Sequence, residues 1–236
     1  MPENFDKSDK IAHANLCGFG KSVIQAVLEG KVEELVLVNC CDSMRRVYDI
    51  IENTKKCKFL YMLDLPHEDN ECENIKFAQS ILRLKKAYER YSHRTFDREL
   101  FIKSFAKPQS EHKPYIGLMG VHVSSILEKT IRENMQMDVE NMTCTSGRNL
   151  IILQKDLRNM DDETLFLAYA ESLLGQMPCA RMNNNTRRNQ LFLDPSLKGI
   201  IYHTIKFCDY YGFEYASIKN NVDRKSTRLN SSHLGI

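Results

Sequence analysis

The stretch EELVLVNCCDSMRRVYDIIEN, residues 33–53, decides the fold. Residues 33–39 are an apolar run rich in valine and leucine, which predicts a short buried strand. Residues 43–53 carry apolar side chains at helical spacing, so they predict an amphipathic helix that Asp42 caps. The stretch is therefore a strand that feeds a helix, the building unit of α/β folds.

The same alternation continues through the first half of the chain. Residues 58–65 (KFLYMLDL) predict a second strand, residues 74–91 a long helix and residues 96–105 a shorter one. A polar segment around Pro108 follows, so we place a first domain at residues 1–107.

The second half repeats the alternation, and we place a second domain at residues 113–222. Its predicted strands are residues 115–119, 137–142 and 199–207, and its predicted helices are residues 124–134 and 161–175, with Asp161 as cap and Gly175 as stop. Alternating strands and helices are typical of parallel sheets covered on both faces. We therefore predict an α/β protein of two flavodoxin- or Rossmann-like domains.

The last residues, 223–236, read DRKSTRLNSSHLGI and show neither helical nor strand periodicity. They resemble the translation of a sequencing-library adapter, so we predict a foreign tail. Three basic residues and Asp223 give this tail a net charge of +2, which equals the formal charge of +2 of the whole chain. The remainder is neutral and its basic residues are dispersed, so we expect no nucleic-acid partner.

The sequence also bears on location. It contains no apolar run of membrane-spanning length and no apolar leader, so we expect a cytoplasmic protein without a membrane partner. The cytosol keeps thiols reduced. The eight cysteines therefore indicate metal binding or reactivity rather than disulfides.

Three cysteines, Cys41, Cys144 and Cys208, follow predicted strands directly. Ligands of such sheets bind beyond the carboxyl ends of the strands, and unpaired N–H groups at a helix start stabilise a thiolate such as that of Cys41. Single thiolates from distant loops suit an iron–sulfur cluster better than structural zinc, which usually shows close pairs. Packing of the cysteines as small apolar side chains explains the spacing equally well.

Two local patterns near these cysteines lead to further predictions. The segment CGFGKS, residues 17–22, ends like a phosphate-binding loop, but Asn15 stands where that motif needs glycine, so we predict no nucleotide site. Cys40 and Cys41 are adjacent, and strand alternation would place their sulfurs on opposite faces. We therefore predict that Cys41 faces the cleft and that Cys40 is a packed thiol.

Five segments, taken in order, resemble the 2-hydroxyacyl-CoA dehydratase family, which is related to the 2-hydroxyglutaryl-CoA dehydratase D-component and to benzoyl-CoA reductase subunits. They are VNCCDSMRRVYDII, FLYMLDLP, YIGLMGV with TCTSGR, PCARM and GIIYHTIKFCDYYGFEY, and the resemblance covers nearly all of residues 16–219. The resemblance implies two flavodoxin-like domains with a cluster site between them.

The resemblance also implies the ligands of the cluster. Cys17, Cys41 and Cys208 match the family's cluster cysteines and would hold a [4Fe-4S] cluster. Cys144 and Cys179 match two further motifs and are either additional ligands or packed near the pocket.

Four other residues have simpler interpretations. Asp209, like Asp42, caps the element after its cysteine, and Arg148 either anchors its loop or meets an anionic group of the substrate. His203 lies within an apolar strand and is interpreted as a core histidine rather than a base.

The activity that the resemblance implies is the syn elimination of water from an (R)-2-hydroxyacyl-CoA through a ketyl radical, by an oxygen-sensitive lyase. A second homologous subunit and an ATP-dependent iron–sulfur activator would be its partners. Relative to the family the chain looks truncated at both ends, and by itself it lacks the partner subunit and the activator, so we expect no activity from it alone. Two alternatives stay open: a benzoyl-CoA-reductase-like or other ATP-dependent reductase subunit, and a non-catalytic two-domain binding or partner subunit. The acyl group and the general base are not specified.

Overall fold

The computed structural model describes residues 4–105, 113–144, 157–176, 181–182, 188 and 192–225. Across these ranges the chain forms five strands, seven α-helices and one 3-10 turn, Ser8–Lys10. In chain order they are α1 Gly18–Leu28, β1 Glu34–Val38, α2 Asp42–Thr54, β2 Phe59–Leu63, α3 Glu71–Ser92, α4 Arg98–Lys103, β3 Tyr115–Gly120, α5 Ser125–Asn134, β4 Asp138–Asn141, α6 Asp162–Leu174, β5 Leu197–His203 and α7 Asp209–Lys225. The predicted boundary between residues 107 and 113 falls on residues outside the described ranges.

The first half contains a two-stranded parallel sheet. β1 pairs with β2 in register from Glu34 opposite Phe59 to Val38 opposite Leu63. Helices α1 and α2 contribute Ile24, Val47 and other apolar side chains to the core beneath this sheet. The amphipathic helix that residues 43–53 predicted is therefore confirmed, and its apolar stripe faces inward.

The second half contains a three-stranded parallel sheet in the order β4-β3-β5. β3 is the central strand, and nearly all of its residues are buried, including Leu118 and Met119. The central strand of a covered parallel sheet is apolar on both faces for this reason. The predicted α/β class with two parallel sheets is confirmed.

Helix α6 packs against helix α3 of the first half. Phe77, Ala78 and Ile81 of α3 share a buried cluster with Phe166 and Ala170 of α6. The predicted end signals of α6 are confirmed, because the Asp161 carboxylate accepts a hydrogen bond from the backbone N–H of Thr164 at 2.7 Å, and Gly175 follows the last helical residue. This helix pair joins the two halves through apolar contacts.

The fifth strand is shorter than its sequence predicted. It ends at His203, whereas residues 199–207 carry the apolar pattern. His203 pairs with Gly120, the last residue of β3, and beyond that pair β3 has no residue left to extend the ladder. The apolar pattern continues beyond His203, but β5 ends there because its partner strand β3 ends at Gly120.

Helix α7 continues to Lys225, so its last turn enters the segment that we interpret as a foreign tail. The predicted lack of helical structure from Asp223 onward is therefore wrong for Asp223–Lys225. Because a helix propagates readily once formed, it can extend beyond its apolar pattern. None of the helices within the described ranges is both long and apolar enough to cross a membrane.

Candidate iron–sulfur site

Cys17 lies at the start of helix α1. It occupies the N-cap position, and its sulfur accepts a hydrogen bond from the backbone N–H of Gly20 at 3.4 Å. The residue is buried, with 7% of its surface exposed. The thiol therefore faces the unpaired N–H groups of the first helical turn.

Cys41 occupies the same position on helix α2. It is the N-cap residue, with extended backbone, and Asp42 is the first helical residue. The prediction that Asp42 caps this helix is wrong, because its side chain is 94% exposed and the helix begins one residue earlier than its apolar pattern indicates. Asp42 still stabilises the helix from its first turn, where a negative charge meets the positive end of the dipole.

The surroundings of Cys41 favour its thiolate. They lower the pKa of this thiol to about 6, chiefly through a hydrogen bond with the side chain of Cys40, against the opposing effect of burial. Backbone hydrogen bonds from Met44 and Ser43 also lower the pKa, and the nearby Asp42 carboxylate raises it. Such a thiol is largely ionised at neutral pH.

The strand-alternation argument does not apply to Cys40 and Cys41. Both side chains pack against the α1–α2 core. β1 ends at Val38, so strand alternation does not reach either cysteine. The choice of Cys41 as the ligand now depends on its place at the helix start.

Cys208 directly precedes helix α7, whose first residue is Asp209. The carbonyl oxygen of Cys208 accepts a hydrogen bond from the backbone N–H of Gly212 at 3.1 Å, as the residue before a helix does. Asp209 thus lies within the helix, so its predicted capping role is wrong for the same reason as that of Asp42.

Cys144 and Cys179 are the other two cysteines that the sequence singled out. Cys144 is exposed and lies three residues beyond the end of β4, with its N–H bonded to the carbonyl oxygen of Gly120 at 3.1 Å. Cys179 lies outside the described residues, and so does Arg148. The strands end earlier than predicted, so Cys41, Cys144 and Cys208 follow them after a few residues rather than directly.

The two halves meet beside Cys17. The ring of Phe19 lies 4.7 Å, centroid to centroid, from the ring of His122, which follows the end of β3. Burial and then the nearby His203 lower the pKa of His122. The start of helix α1 therefore lies against the carboxyl edge of the second sheet.

His203 is half-buried at the end of β5, with its Nδ1 3.4 Å from the carbonyl oxygen of Val121. This contact agrees with the interpretation of His203 as a histidine with a partner in the fold.

The segment of residues 17–22, which ends like a phosphate-binding loop, makes contacts within the chain. Lys21 pairs with Asp9 at 2.7 Å, and the Ser22 hydroxyl donates to the carbonyl oxygen of Gly18.

A cavity of about 630 Å³ opens at the carboxyl ends of β1 and β2. Asn39 and Asp64, which follow these strands, are hydrogen-bonded at 2.7 Å and lie in its wall. Helix α3 supplies the opposite wall with Lys76 and Arg83 among its side chains. The cavity occupies the crevice where such sheets bind ligands.

Arg181, of the PCARM motif, lies beside this cavity and is 4% exposed. Its guanidinium donates to the carbonyl oxygens of Leu65 and Pro66 at 3.0 and 2.7 Å, and lies 3.1 Å from the ring nitrogens of His67. Arg181 therefore links the second half of the chain to the segment after β2 through hydrogen bonds.

Comparison with known families identifies the family of the chain. The family described as 2-hydroxyglutaryl-CoA dehydratase, D-component, matches residues 1–113 and residues 102–228. The chain belongs to this family. The match extends past residue 222, where we place the start of the tail, and no curated protein matches the chain.

Because the family is that of a dehydratase component, the chain is a subunit of a dehydratase of the 2-hydroxyacyl-CoA type. Within the described residues, no three His, Cys, Asp or Glu side chains are grouped as a metal site. Cys17, Cys41 and Cys208 are therefore not brought together as a metal site in the described ranges, and what they share is a position before a helix. Three thiols stand at helix starts, where N–H groups stabilise anionic sulfur.

Sequence reasoning missed His122, Arg181 and the cavity beside Asp64. His122 follows a predicted strand and Asp64 lies near the end of one, so the rule that ligands bind at strand ends was a usable signal for both. Arg181 gave no local signal, because its partners are more than a hundred residues away.

Proposed function

We propose that this chain is one subunit of an oxygen-sensitive, cytoplasmic iron–sulfur enzyme that eliminates water from an (R)-2-hydroxyacyl-CoA to give the enoyl-CoA. One observation carries the proposal. Cys17, Cys41 and Cys208 each stand immediately before the first residue of an α-helix.

Helix starts suit cluster ligands for an electrostatic reason. The first N–H groups of a helix have no partner within it, and they carry the positive end of the helix dipole. Thiolates placed there keep their charge, and hydrogen bonds to sulfur tune an iron–sulfur centre. In this proposal Cys17, Cys41 and Cys208 hold a [4Fe-4S] cluster, and Cys144 and Cys179 line its surroundings or add a ligand.

The reaction needs such a centre because the β-proton of the substrate is hardly acidic, since the thioester activates the α-position. A cluster held by Cys17, Cys41 and Cys208 would supply single-electron chemistry, which is what elimination through a ketyl radical requires. The chain's own contribution is to hold the thiolates and to limit access of water, as burial of Cys17 does.

Two partners belong to the proposal. A homologous second subunit would complete the enzyme, in line with the description of the family as one component of a dehydratase. A separate ATP-dependent activator with its own iron–sulfur cluster would deliver the electron. Lys21 and Ser22 of the loop-like segment make contacts within the chain.

The test is turnover by the assembled complex under anaerobic conditions. The chain, its homologous partner and the activator, with ATP and a reductant, should convert (R)-2-hydroxyacyl-CoA esters to enoyl-CoA. Cys41→Ala should lower kcat at least about a hundredfold, whereas Cys72→Ala, an exposed position on α3, should leave it unchanged. Ring reduction of benzoyl-CoA in place of dehydration would instead assign a reductase, and absence of any iron-dependent turnover would assign a non-catalytic subunit.

A further inference from the structure

The cavity at the carboxyl ends of β1 and β2 carries polar groups of the kind that recognise a phosphorylated sugar. We propose that this cavity binds the 3′-phosphorylated ribose of coenzyme A, at the end of the substrate that lies farthest from the thioester. The identity of the ligand rests on the proposed function, because a CoA thioester is the substrate there. The site itself depends neither on the cysteines nor on a cluster.

The size and the place of the cavity are those of a ligand site. Its volume of about 630 Å³ falls within the roughly 300–1,000 Å³ of small-molecule sites. Asn39 directly follows β1 and Asp64 directly follows β2, and both lie in the wall. Because β1 and β2 are parallel, their ends open on the same edge, where α/β sheets bind ligands.

One face of helix α3 lines the cavity with polar side chains. Lys76, Gln79, Ser80 and Arg83 are spaced by three or four residues along α3, which places them on the same side of the helix. Lys76 is already paired, since its Nζ lies 2.7 Å from a carboxylate oxygen of Glu73. The other three side chains are the ones that can contact a ligand.

Ser80 and Arg83 are donors without a partner. Ser80 is 4% exposed and lines the cavity, yet its hydroxyl has no hydrogen-bond partner within the described ranges. Polar groups so deeply placed are nearly always satisfied, so the occupant of the cavity is the partner that remains. The Arg83 guanidinium likewise pairs with none of the described residues. A hydroxyl and a guanidinium on one helix face both donate to phosphate oxygens.

The opposite wall supplies an acceptor for a ribose hydroxyl. Asp64 Oδ1 accepts a hydrogen bond from the side-chain amide of Asn39 at 2.7 Å, and Asn39 Oδ1 accepts one from the backbone N–H of Leu65 at 2.9 Å. These bonds hold the carboxylate at the strand ends, and a carboxylate can accept further donors.

The pair of Asp64 and Arg83 matches a known logic of ribose recognition. In dinucleotide-binding α/β folds, an acidic residue about 20 residues after the first strand–helix turn binds a ribose hydroxyl, and an arginine nearby accommodates a phosphate on that ribose. Asp64 follows Asn39 by 25 residues. Arg83 lines the same cavity and supplies the arginine.

The charges around the cavity orient the ligand. Asp64 and Glu68 lie on the wall after β2, and Lys76 offsets the charge of Glu73. The two carboxylates of that wall repel a phosphate, which Arg83 on α3 attracts, whereas a ribose hydroxyl is drawn to Asp64. The cavity therefore takes a sugar that carries both an anion and a hydroxyl donor, as the 3′-phosphate and 2′-hydroxyl of CoA are.

The test measures binding of CoA and of 3′-dephospho-CoA to the full chain by titration calorimetry under anaerobic, reducing conditions. The unmodified chain should bind CoA at least about tenfold more tightly, because the phosphate adds charge-assisted hydrogen bonds. Arg83→Ala should lower the affinity for CoA at least about tenfold and leave that for dephospho-CoA unchanged, and Ser80→Ala should act in the same direction. Arg90→Ala, at an exposed position about two turns further along α3, removes the same charge and should change neither affinity.

Absence of CoA binding, equal affinities of the unmodified chain for the two ligands, or equal CoA affinities of Arg83→Ala and Arg90→Ala would overturn the proposal. Because Arg83 is exposed, Arg83→Ala should melt at the temperature of the unmodified chain, which separates lost binding from lost folding. Turnover by the assembled complex separates this inference from the proposed function. Phosphate-selective binding without turnover would support the site and overturn the dehydratase, whereas turnover with an unchanged KM in Arg83→Ala would support the dehydratase and overturn the site.

Discussion

The guanidinium of Arg181 lies 2.7 Å from the carbonyl oxygen of Pro66, which is 115 residues earlier in the chain. This hydrogen bond joins the PCARM motif of the second half to the loop after β2, beside the cavity at the ends of β1 and β2. One terminal nitrogen of this buried cation thus donates to two backbone carbonyls rather than to a carboxylate.

The Arg181 contact leads to a stability prediction. Arg181→Ala should lower the free energy of unfolding by about 2–4 kcal/mol, because it removes a buried side chain and leaves two partly buried carbonyl groups without this donor. Urea unfolding of the full chain measures the change. Arg46→Ala is the matched control, since its side chain is 71% exposed, and it should change stability by less than about 0.5 kcal/mol. Equal changes in the free energy of unfolding for the two substitutions would show that Arg181 does not stabilise the contact between the halves.

The close approach of Gly120 to β5 leads to a second prediction. Its φ is +97°, and a Cβ there would lie 2.1 Å from the carbonyl oxygen of His203. Gly120→Ala should therefore lower the free energy of unfolding by more than about 3 kcal/mol or prevent folding. Gly212→Ala in α7, where nothing lies within 4 Å of the added carbon, should be tolerated or mildly stabilising. Soluble yield and thermal melting of the two variants make the comparison. A normally folded Gly120→Ala protein would contradict the close approach of Gly120 to the backbone of His203.

Alkylation of the cluster-free chain should report the lowered pKa of Cys41. Because the thiolate is the reactive form, its rate of reaction with iodoacetamide should be near its plateau at pH 7 and fall to half at about pH 6. Burial raises the pKa of Cys57, so its rate should still be rising in alkaline solution. Cys40→Ala removes the largest cause of the lowering and should move the Cys41 midpoint to higher pH. A Cys41 midpoint close to that of Cys57, measured by peptide mass under anaerobic conditions, would refute this description.

The local architecture was predictable because it depends on local sequence. Apolar runs and helical spacing placed β1, α2, β3 and α6, and the cysteine-containing segments were expected near helix starts. Element ends were less predictable, since they depend on the partner. β5 stops at His203 because β3 stops at Gly120, although its apolar pattern continues.

Contacts that depend on the folded chain could not be predicted in the same way. β1 ends at Val38, so strand alternation does not reach Cys40 and Cys41, which the run of apolar residues up to Asn39 did not reveal. Arg181 has partners far away in sequence, and no periodicity marks such a pair. Whether cysteines from separate elements come together also depends on such contacts, and within the described ranges no such group is found.

The tail interpretation gives a further prediction. Deleting residues 226–236, which leaves helix α7 to Lys225 intact, should not change the unfolding midpoint, because the segment has no patterned apolar surface to bury. Thermal melting of the shortened and full chains measures this. A clear drop in the midpoint would show that these residues belong to the fold.

The most direct test of the central claim is the iron and sulfide content of the chain after anaerobic reconstitution. The unmodified protein, Cys40→Ala and Cys72→Ala should hold iron and sulfide in equal amounts, whereas Cys17→Ala, Cys41→Ala and Cys208→Ala should each lose most of both, because each removes a thiolate at a helix start. Retention of the full iron content by all three of these variants, or its absence from the unmodified chain, would contradict the account.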